Sequence, residues 1–453
     1  MRIHAKTAFV QGNWMKDVQV TCANGIITDV KANAGPLAGA TSIDVLLPAL
    51  CNLHSHTFQR AMAGMTDFRA AGQESFWTWR DLMYRFIGHL TPDQIEAIAA
   101  LTFVEMQEAG YASAAEFHYV HHQPDGTPYA RLTELSDRIF AAAAETGIGL
   151  THLPVLYTYA GVNQEPLAGG QLRFSNDVDR YLRLIDDCRA ALSYMPDDTR
   201  VGIAPHSLRA TSPEDLARTV QAMPDGPIHI HISEQLKEVE DVQAKLGQRP
   251  VEWLLNNAEI NNRWCLIHAT HMTEAETIAM AKSGAVAGLC PITESNLGDG
   301  AFNGPTYLEH GGAFGLGSDS NVRISLTEEL RTLEYSRRLR DMARNVLVVG
   351  EGSVGKTLYT GAARAGSQAS GRDSGEIAIG KLADLVAINR DHPALCALKD
   401  DQLFDGLCFA ASDNVVTDTW SAGRHMLKSG RHIARDAITQ KYRTSIKKLL
   451  KVI

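Results

Sequence analysis

Over the first 47 residues apolar and polar positions alternate in short bursts. Ala8-Phe9-Val10, Val18-Gln19-Val20-Thr21 and Ile26-Ile27-Thr28-Asp29-Val30 are separated by Gly and Asn turns, which predicts short strands. From Pro48 to about residue 370 short apolar runs alternate with helix-length segments such as 91–109 and 132–146, the rhythm of βα units. After Gly371 strand signals return at 380–388 and 415–420, and 442–453 closes the chain with a basic amphipathic stretch. The middle region has the length of a (β/α)8 barrel. The expected fold is therefore α/β, a TIM-type barrel over 48–370 with a small β-sandwich domain built from both chain ends, 1–47 and 371–435. A C-terminal helix is expected over 436–453. No internal repeat or low-complexity linker interrupts this plan.

Composition narrows the function. A chain of 453 residues can bury a large interior. Its net charge of −9 and pI near 6.0 give no electrostatic reason for a nucleic-acid or anionic-membrane partner. The first residues lack the apolar core of a signal peptide, and no stretch stays apolar long enough to span a bilayer, so a cytoplasmic enzyme acting on a small molecule is expected. The seven cysteines include no Cys-x-x-Cys pair, which argues against a thiolate metal site.

The candidate chemistry lies where apolar runs end. Leu47-Pro48-Ala49-Leu50-Cys51-Asn52-Leu53-His54-Ser55-His56 finishes on two histidines one residue apart, which leave the same face of a strand. Ile228-His229-Ile230-His231-Ile232-Ser233-Glu234 repeats the pattern, with a carboxylate three residues after His231. Trp264-Cys265-Leu266-Ile267-His268 and Ala313-Phe314-Gly315-Leu316-Gly317-Ser318-Asp319 close on a histidine and an aspartate. Singly, each has an ordinary reading: strand caps, a core histidine, a helix N-cap. In a parallel barrel, however, all strand C-termini open on one face, so these groups would converge. Three imidazoles and a carboxylate suit Zn²⁺, and the residual positive charge would bring a water's pKa towards about 7.

With these motifs the sequence resembles the amidohydrolase superfamily over nearly its whole length. The resemblance implies that His54, His56, His231 and Asp319 hold one divalent metal, most simply zinc, and that His268 is the sixth-strand histidine. The fourth-strand run Val201-Gly202-Ile203-Ala204-Pro205-His206 has no lysine to bridge a second metal. His231-Ile232-Ser233-Glu234 matches the His-x-x-Glu of the deaminase branch, implying catalytic roles for Glu234, His268 and Asp319. Within that branch the chain is most similar to deiminases of histidine degradation that act on N-formimidoyl-L-glutamate. The stretches that carry this are His54–Gly64, Ser75-Phe76-Trp77-Thr78-Trp79-Arg80, Glu116–His122 and Ala204–Ala210. By that likeness Gln59, Arg80, Tyr119, His206 and Arg209 bind substrate, the enzyme is a homodimer, and the substrate is a small dicarboxylate for which Arg80 and Arg209 would form the clamp. His118, His121 and His122 are expected to be loop polar groups, and His229 to point into the barrel one layer deeper than His231. Two alternatives stand beside this reading: a nucleobase or other heterocycle deaminase with the same metal site, and a non-catalytic barrel relative.

Overall fold

The computed structural model describes residues 1–67 and 76–452, with the side chains of residues 76–78 outside that description, so of the Ser75–Arg80 motif only the side chains of Trp79 and Arg80 fall within it. The N-terminal strands are Arg2–Val10 (β1), Asn13–Ala23 (β2), Ile26–Lys31 (β3) and Thr41–Pro48 (β4). The central series follows as Leu50–Ser55 (β5), Tyr111–His118 (β6), Gly149–Leu156 (β7), Arg200–Val201 (β8), Ala204–Pro205 (β9), Ile228–Ile232 (β10), Trp264–His268 (β11), Val286–Leu289 (β12) and Ala313–Leu316 (β13). The C-terminal strands are Leu385–Ile388 (β14), Val416–Ser421 (β15), Arg424–Lys428 (β16) and Arg431–His432 (β17).

Every pairing within the central series is parallel, in two sheets ordered β5-β6-β7-β8 and β10-β11-β12-β13, with β9 against β7. Parallel bridges Ile203–Ile228 and Ser55–Asp319 join the two sheets at both seams, so backbone pairing passes from β5 to β13 and back to β5. Helices including Pro92–Glu108, Glu134–Thr146, Val178–Ala191, Pro213–Ala222, Leu236–Leu246, Glu274–Lys282 and Leu326–Asp341 fall between these strands or just after them. The strands read as near-continuous apolar runs because they are covered on both faces: β6, β7, β10 and β11 are buried at every position. Local chemistry sets the helix ends. Thr91 and Gln94 form a capping box ahead of Pro92, Ser212 caps the helix that starts at Pro213, and Gly147 in the left-handed region stops the helix 134–146.

The fourth-strand run departs from expectation by splitting into β8 and β9, with Gly202 and Ile203 between them; Gly202 N still bonds His152 O of β7 at 3.0 Å. The strand expected over 380–388 shortens to β14: Gly380 takes φ +91°, Leu382 N bonds Asp373 O, and ahead of β14 only an isolated antiparallel bridge joins Leu382 to Ile26. The terminal helix runs Arg435–Leu449 and packs on Pro92–Glu108.

Both chain ends meet in one eight-stranded sheet, β17-β16-β15-β14-β4-β1-β2-β3. A buried ion cluster fastens it to the central series: Arg372 bonds Asp384 at 3.0 Å and Asp198 at 2.9 Å, and Arg424 bonds Asp198 at 2.6 Å. Thr151 donates to Ser370 O and His229 Nε2 meets Ala369 O at 2.7 Å, so the end of the helix Val354–Ser370 closes off the series below the site. Among the described residues no helix is long and apolar enough to cross a membrane.

Candidate active site

β5 ends on His54 and Ser55, and the chain turns at His56 into a short 3-10 helix, Thr57–Met62, so both histidines stay buried at the same end of the series. β10 brings His231 to them: His231 Nε2 lies 3.0 Å from His54 Nε2, and ligand atoms of His54, His56 and His231 all fall within 4.8 Å of one another. The far ring nitrogens brace two of these side chains. His56 Nδ1 meets Phe117 O at 2.9 Å and His231 Nδ1 meets His206 O at 3.2 Å, so each Nδ1 carries the proton and each Nε2 presents its lone pair. Burial lowers His54 to about 3 and holds His56 and His231 below the usual histidine range, which keeps these rings neutral.

Asp319 completes the set, with Oδ1 at 3.5 Å from His54 Nε2 and 3.3 Å from His56 Nε2. Burial alone would raise its carboxyl, but a hydrogen bond with His54 and the electrostatic influence of the His54, His56 and His268 rings hold it well below the usual range. Its backbone sits in the left-handed region at φ +46° and is held by both neighbours: Asp319 N donates to His54 O, and His56 N donates to Asp319 O, each at 2.9 Å. A buried side-chain chain locks this turn. Asn52 and Ser318 exchange two hydrogen bonds, Ser318 Oγ donates to Asn321, and Asn321 Nδ2 donates to Ser55 Oγ. Gly317 is required by close approach, since a Cβ there would sit 2.7 Å from His54 O. Three neutral imidazole nitrogens and one carboxylate oxygen facing a common point, two of the rings fixed from behind, are a donor set that fits a borderline-soft divalent cation better than Mg²⁺ or Ca²⁺.

β11 ends on His268, whose φ of +67° turns its ring towards this centre. Its Nε2 is 3.6 Å from Glu234 Oε1 and 3.9 Å from Asp319 Oδ2, while Nδ1 meets Glu294 Oε1 at 3.2 Å. Burial opposes a charged His268, but the carboxylates of Glu234, Asp319 and Glu294 outweigh it and raise its pKa; burial pushes the Glu234 carboxyl up as well. A proton can therefore reside between these two groups, the condition acid–base chemistry needs.

The five side chains expected to bind substrate, Gln59, Arg80, Tyr119, His206 and Arg209, line one cavity together with His56, His231, Glu234, His268 and Asp319. Gln59 Nε2 donates to Tyr119 Oη at 2.6 Å, and its buried Oε1 has no hydrogen-bond partner among the described residues. Arg209 is 8% exposed, with Nε 4.0 Å from Glu238 Oε2. Arg80 is half-buried, its guanidinium 5.6 Å above the Tyr84 ring. Met83, Tyr84, Tyr157 and Phe174 form the apolar wall.

Sequence reasoning missed Glu294 and Glu238, which touch His268 and the Glu234 turn; each lies in the first turn of a helix just after a strand, the one signal that pointed to them. Of the three histidines expected to be loop polar groups, His121 and His122 do lie in the loop after β6, whereas His118 is the last residue of that strand; all three are buried, and His118 and His121 group with His152 outside the cavity. His229 bonds Ala369 O below the site, in keeping with its expected deeper layer.

Comparison with known proteins agrees over the whole chain. Residues 45–426 match the amidohydrolase family. A formimidoylglutamate deiminase of Pseudomonas aeruginosa is 46% identical, with 96% of each chain covered. A 5-methylthioadenosine/S-adenosylhomocysteine deaminase of Haloarcula marismortui is 27% identical, with 93% of this chain and 89% of the relative covered. Among solved structures, an amidohydrolase from Brucella melitensis superposes with a TM-score of 0.95 at 45% identity, covering 99% of both chains. An adenosine deaminase from Xanthomonas campestris with bound zinc shares the fold, with a TM-score of 0.83 at 22% identity over 99% of this chain and 98% of that one. The chain belongs to the amidohydrolase family.

Proposed function

We propose that the protein hydrolyses N-formimidoyl-L-glutamate to N-formyl-L-glutamate and ammonia, a C–N hydrolysis of histidine degradation. The observation that carries the substrate is the pair Arg80 and Arg209 in the wall of the cavity that holds the metal-type donor set, supported by 46% identity to a formimidoylglutamate deiminase over 96% of the chain. Two arginines are what a substrate with two carboxylates needs, each guanidinium offering a planar fork.

His54, His56, His231 and Asp319 would hold one divalent ion, most simply zinc, which supplies Lewis-acid polarisation and a nucleophile at neutral pH. The chain's own residues do the rest. Arg80 and Arg209 anchor the carboxylates, and Gln59, Tyr119 and His206 orient the chain between them and the reacting carbon. Asp319, steadied by His268, accepts a proton from the attacking water. Glu234 delivers a proton to the imino nitrogen as water adds; the proton held by Asp319 then passes to the resulting amino group while Glu234 takes back the hydroxyl proton, so that the C–N bond breaks with ammonia leaving and the carbon keeps its oxygen as formyl. The apolar wall restricts bulk water around this exchange.

The reading extends to architecture: a (β/α)8 barrel over 48–370 and a small β-sandwich domain built from 1–47 and 371–435, in a cytoplasmic homodimer. A heterocycle deaminase is the second reading, favoured by the likeness to 5-methylthioadenosine/S-adenosylhomocysteine deaminases. Ammonia release by metal-loaded protein from a panel of N-formimidoyl amino acids, nucleobases and nucleosides separates the two. Preference for N-formimidoyl-L-glutamate is expected, and preference for an uncharged heterocycle would overturn the proposal.

A further inference from the structure

Immediately after β10 the chain passes through a strained turn. Ser233 takes φ +51°, a conformation unfavourable for a non-glycine residue, and it aligns the amides of Ser233 and Glu234 in one direction. Both amides donate to a single carboxylate. Glu238 Oε1 accepts from Ser233 N and Oε2 from Glu234 N, each at 3.1 Å. Glu238 is 1% exposed and sits at the third position of the helix Leu236–Leu246. A glutamate there ordinarily reaches back to the amide of the cap residue, here Gln235; Glu238 passes it and takes the two amides before it. The same Oε2 lies 4.0 Å from Arg209 Nε, so its charge also faces the arginine assigned to substrate.

We propose that Glu238 is a positioning residue for the deimination step, acting through Glu234 and not on the substrate; this rests on Glu234 being the proton donor proposed above. The physical reason is donor geometry. Two aligned amides need two acceptor oxygens at fixed spacing, which a carboxylate supplies. Glutamine offers one oxygen and turns an NH₂ against the other amide. Releasing that amide frees the Ser233 turn to relax, and the Glu234 carboxyl then swings away from His268, 3.6 Å distant.

The test is a cycle of Glu238→Gln, Glu234→Gln and the double variant, assayed for kcat and KM with N-formimidoyl-L-glutamate. Metal content, thermal midpoint and calorimetric affinity for N-formyl-L-glutamate are measured alongside. Glu238→Gln should lower kcat ~10–100-fold, the usual scale for a group that orients an active-site residue, and move KM by no more than about threefold. The double variant should be no slower than Glu234→Gln alone, because Glu238 has nothing left to position. Where Glu238→Gln melts early, Glu238→Asp keeps the charge but falls one methylene short, and its loss of kcat should vanish in the same way in the Glu234→Gln background. Parental kcat in both Glu238 variants, or losses that multiply in the double variant, would overturn the inference. A parent inactive on this substrate but active on another in the panel would sink the functional reading alone, and the cycle run on that substrate still decides the role of Glu238.

Discussion

Replacing Arg209 by methionine removes a guanidinium that is 8% exposed and lines the cavity beside His206 and Tyr157. In the parent a substrate carboxylate entering this wall exchanges water for a fixed, charged fork. In the variant it loses its water without compensation, and truncating one partner of such a buried charged pair costs about 2–5 kcal/mol. At about 1.4 kcal/mol per decade, the lower figure corresponds to a ~30-fold loss of kcat/KM and the upper to more than ~10³-fold. Glu238 keeps its two amide bonds when Arg209 is removed, so the fold around Glu234 should survive and the loss should appear mainly as KM. Arg80 is half-buried and more screened, so Arg80→Met should fall nearer the lower figure. Arg209→Lys should rescue poorly, since an ammonium keeps the charge but not the fork. Metal content should be parental in all three variants. The assay is ammonia release at varied N-formimidoyl-L-glutamate; parental kcat/KM in both methionine variants would refute the carboxylate clamp.

Three further outcomes are expected. Glu234→Gln should retain metal and thermal midpoint while kcat falls at least ~10²-fold; near-parental turnover would remove Glu234 from the mechanism. Gly317→Ala forces a methyl to 2.7 Å from His54 O, and should destabilise the fold by about 1–3 kcal/mol and deplete bound metal; denaturant midpoints and metal analysis equal to the parent would contradict that geometry. Asp198 is opposed by burial, but Arg424 and Arg372 hold its pKa at about 2 against an ordinary 3.8, so its ionised form stabilises the fold. That contribution, ~2 kcal/mol, is complete above the ordinary value and is lost as pH falls through about 4 towards 2, so the stability gap between parent and Asp198→Asn should narrow over that window; a gap constant from pH 6 to 2.5 would refute the assignment.

Strand-end chemistry was legible because parallel strands deliver their last residues to one rim. His54, His56, His231, His268 and Asp319 are each the end of an apolar run, and the rim brings them together whatever their separation in sequence. What stayed hidden depends on contacts that no local pattern encodes. Glu238 and Glu294 read as ordinary acidic residues in the first turn of helices, and only the fold shows one under the Glu234 turn and the other behind His268. His121 and His122 are loop residues, as their pattern suggests, but what ties that loop down is hidden from it: Arg173, from a segment some fifty positions later, accepts both their amides at its carbonyl and is itself fully buried. Gly202, between β8 and β9, leaves no room for a side chain, since a Cβ there would sit 2.5 Å from Pro227 O, a constraint visible only in the fold.

The central claim is that this protein cleaves the terminal C–N bond of a formimidoyl group and retains the carbon on glutamate. Carbon-13 NMR of a reaction with N-[¹³C]formimidoyl-L-glutamate and metal-loaded enzyme tests it directly, because the alternative cleavage would release formamide and free glutamate. The labelled carbon should appear as N-formyl-L-glutamate with ammonia in equal amount, and label in formamide, or no turnover by protein carrying its full metal complement, would contradict the account.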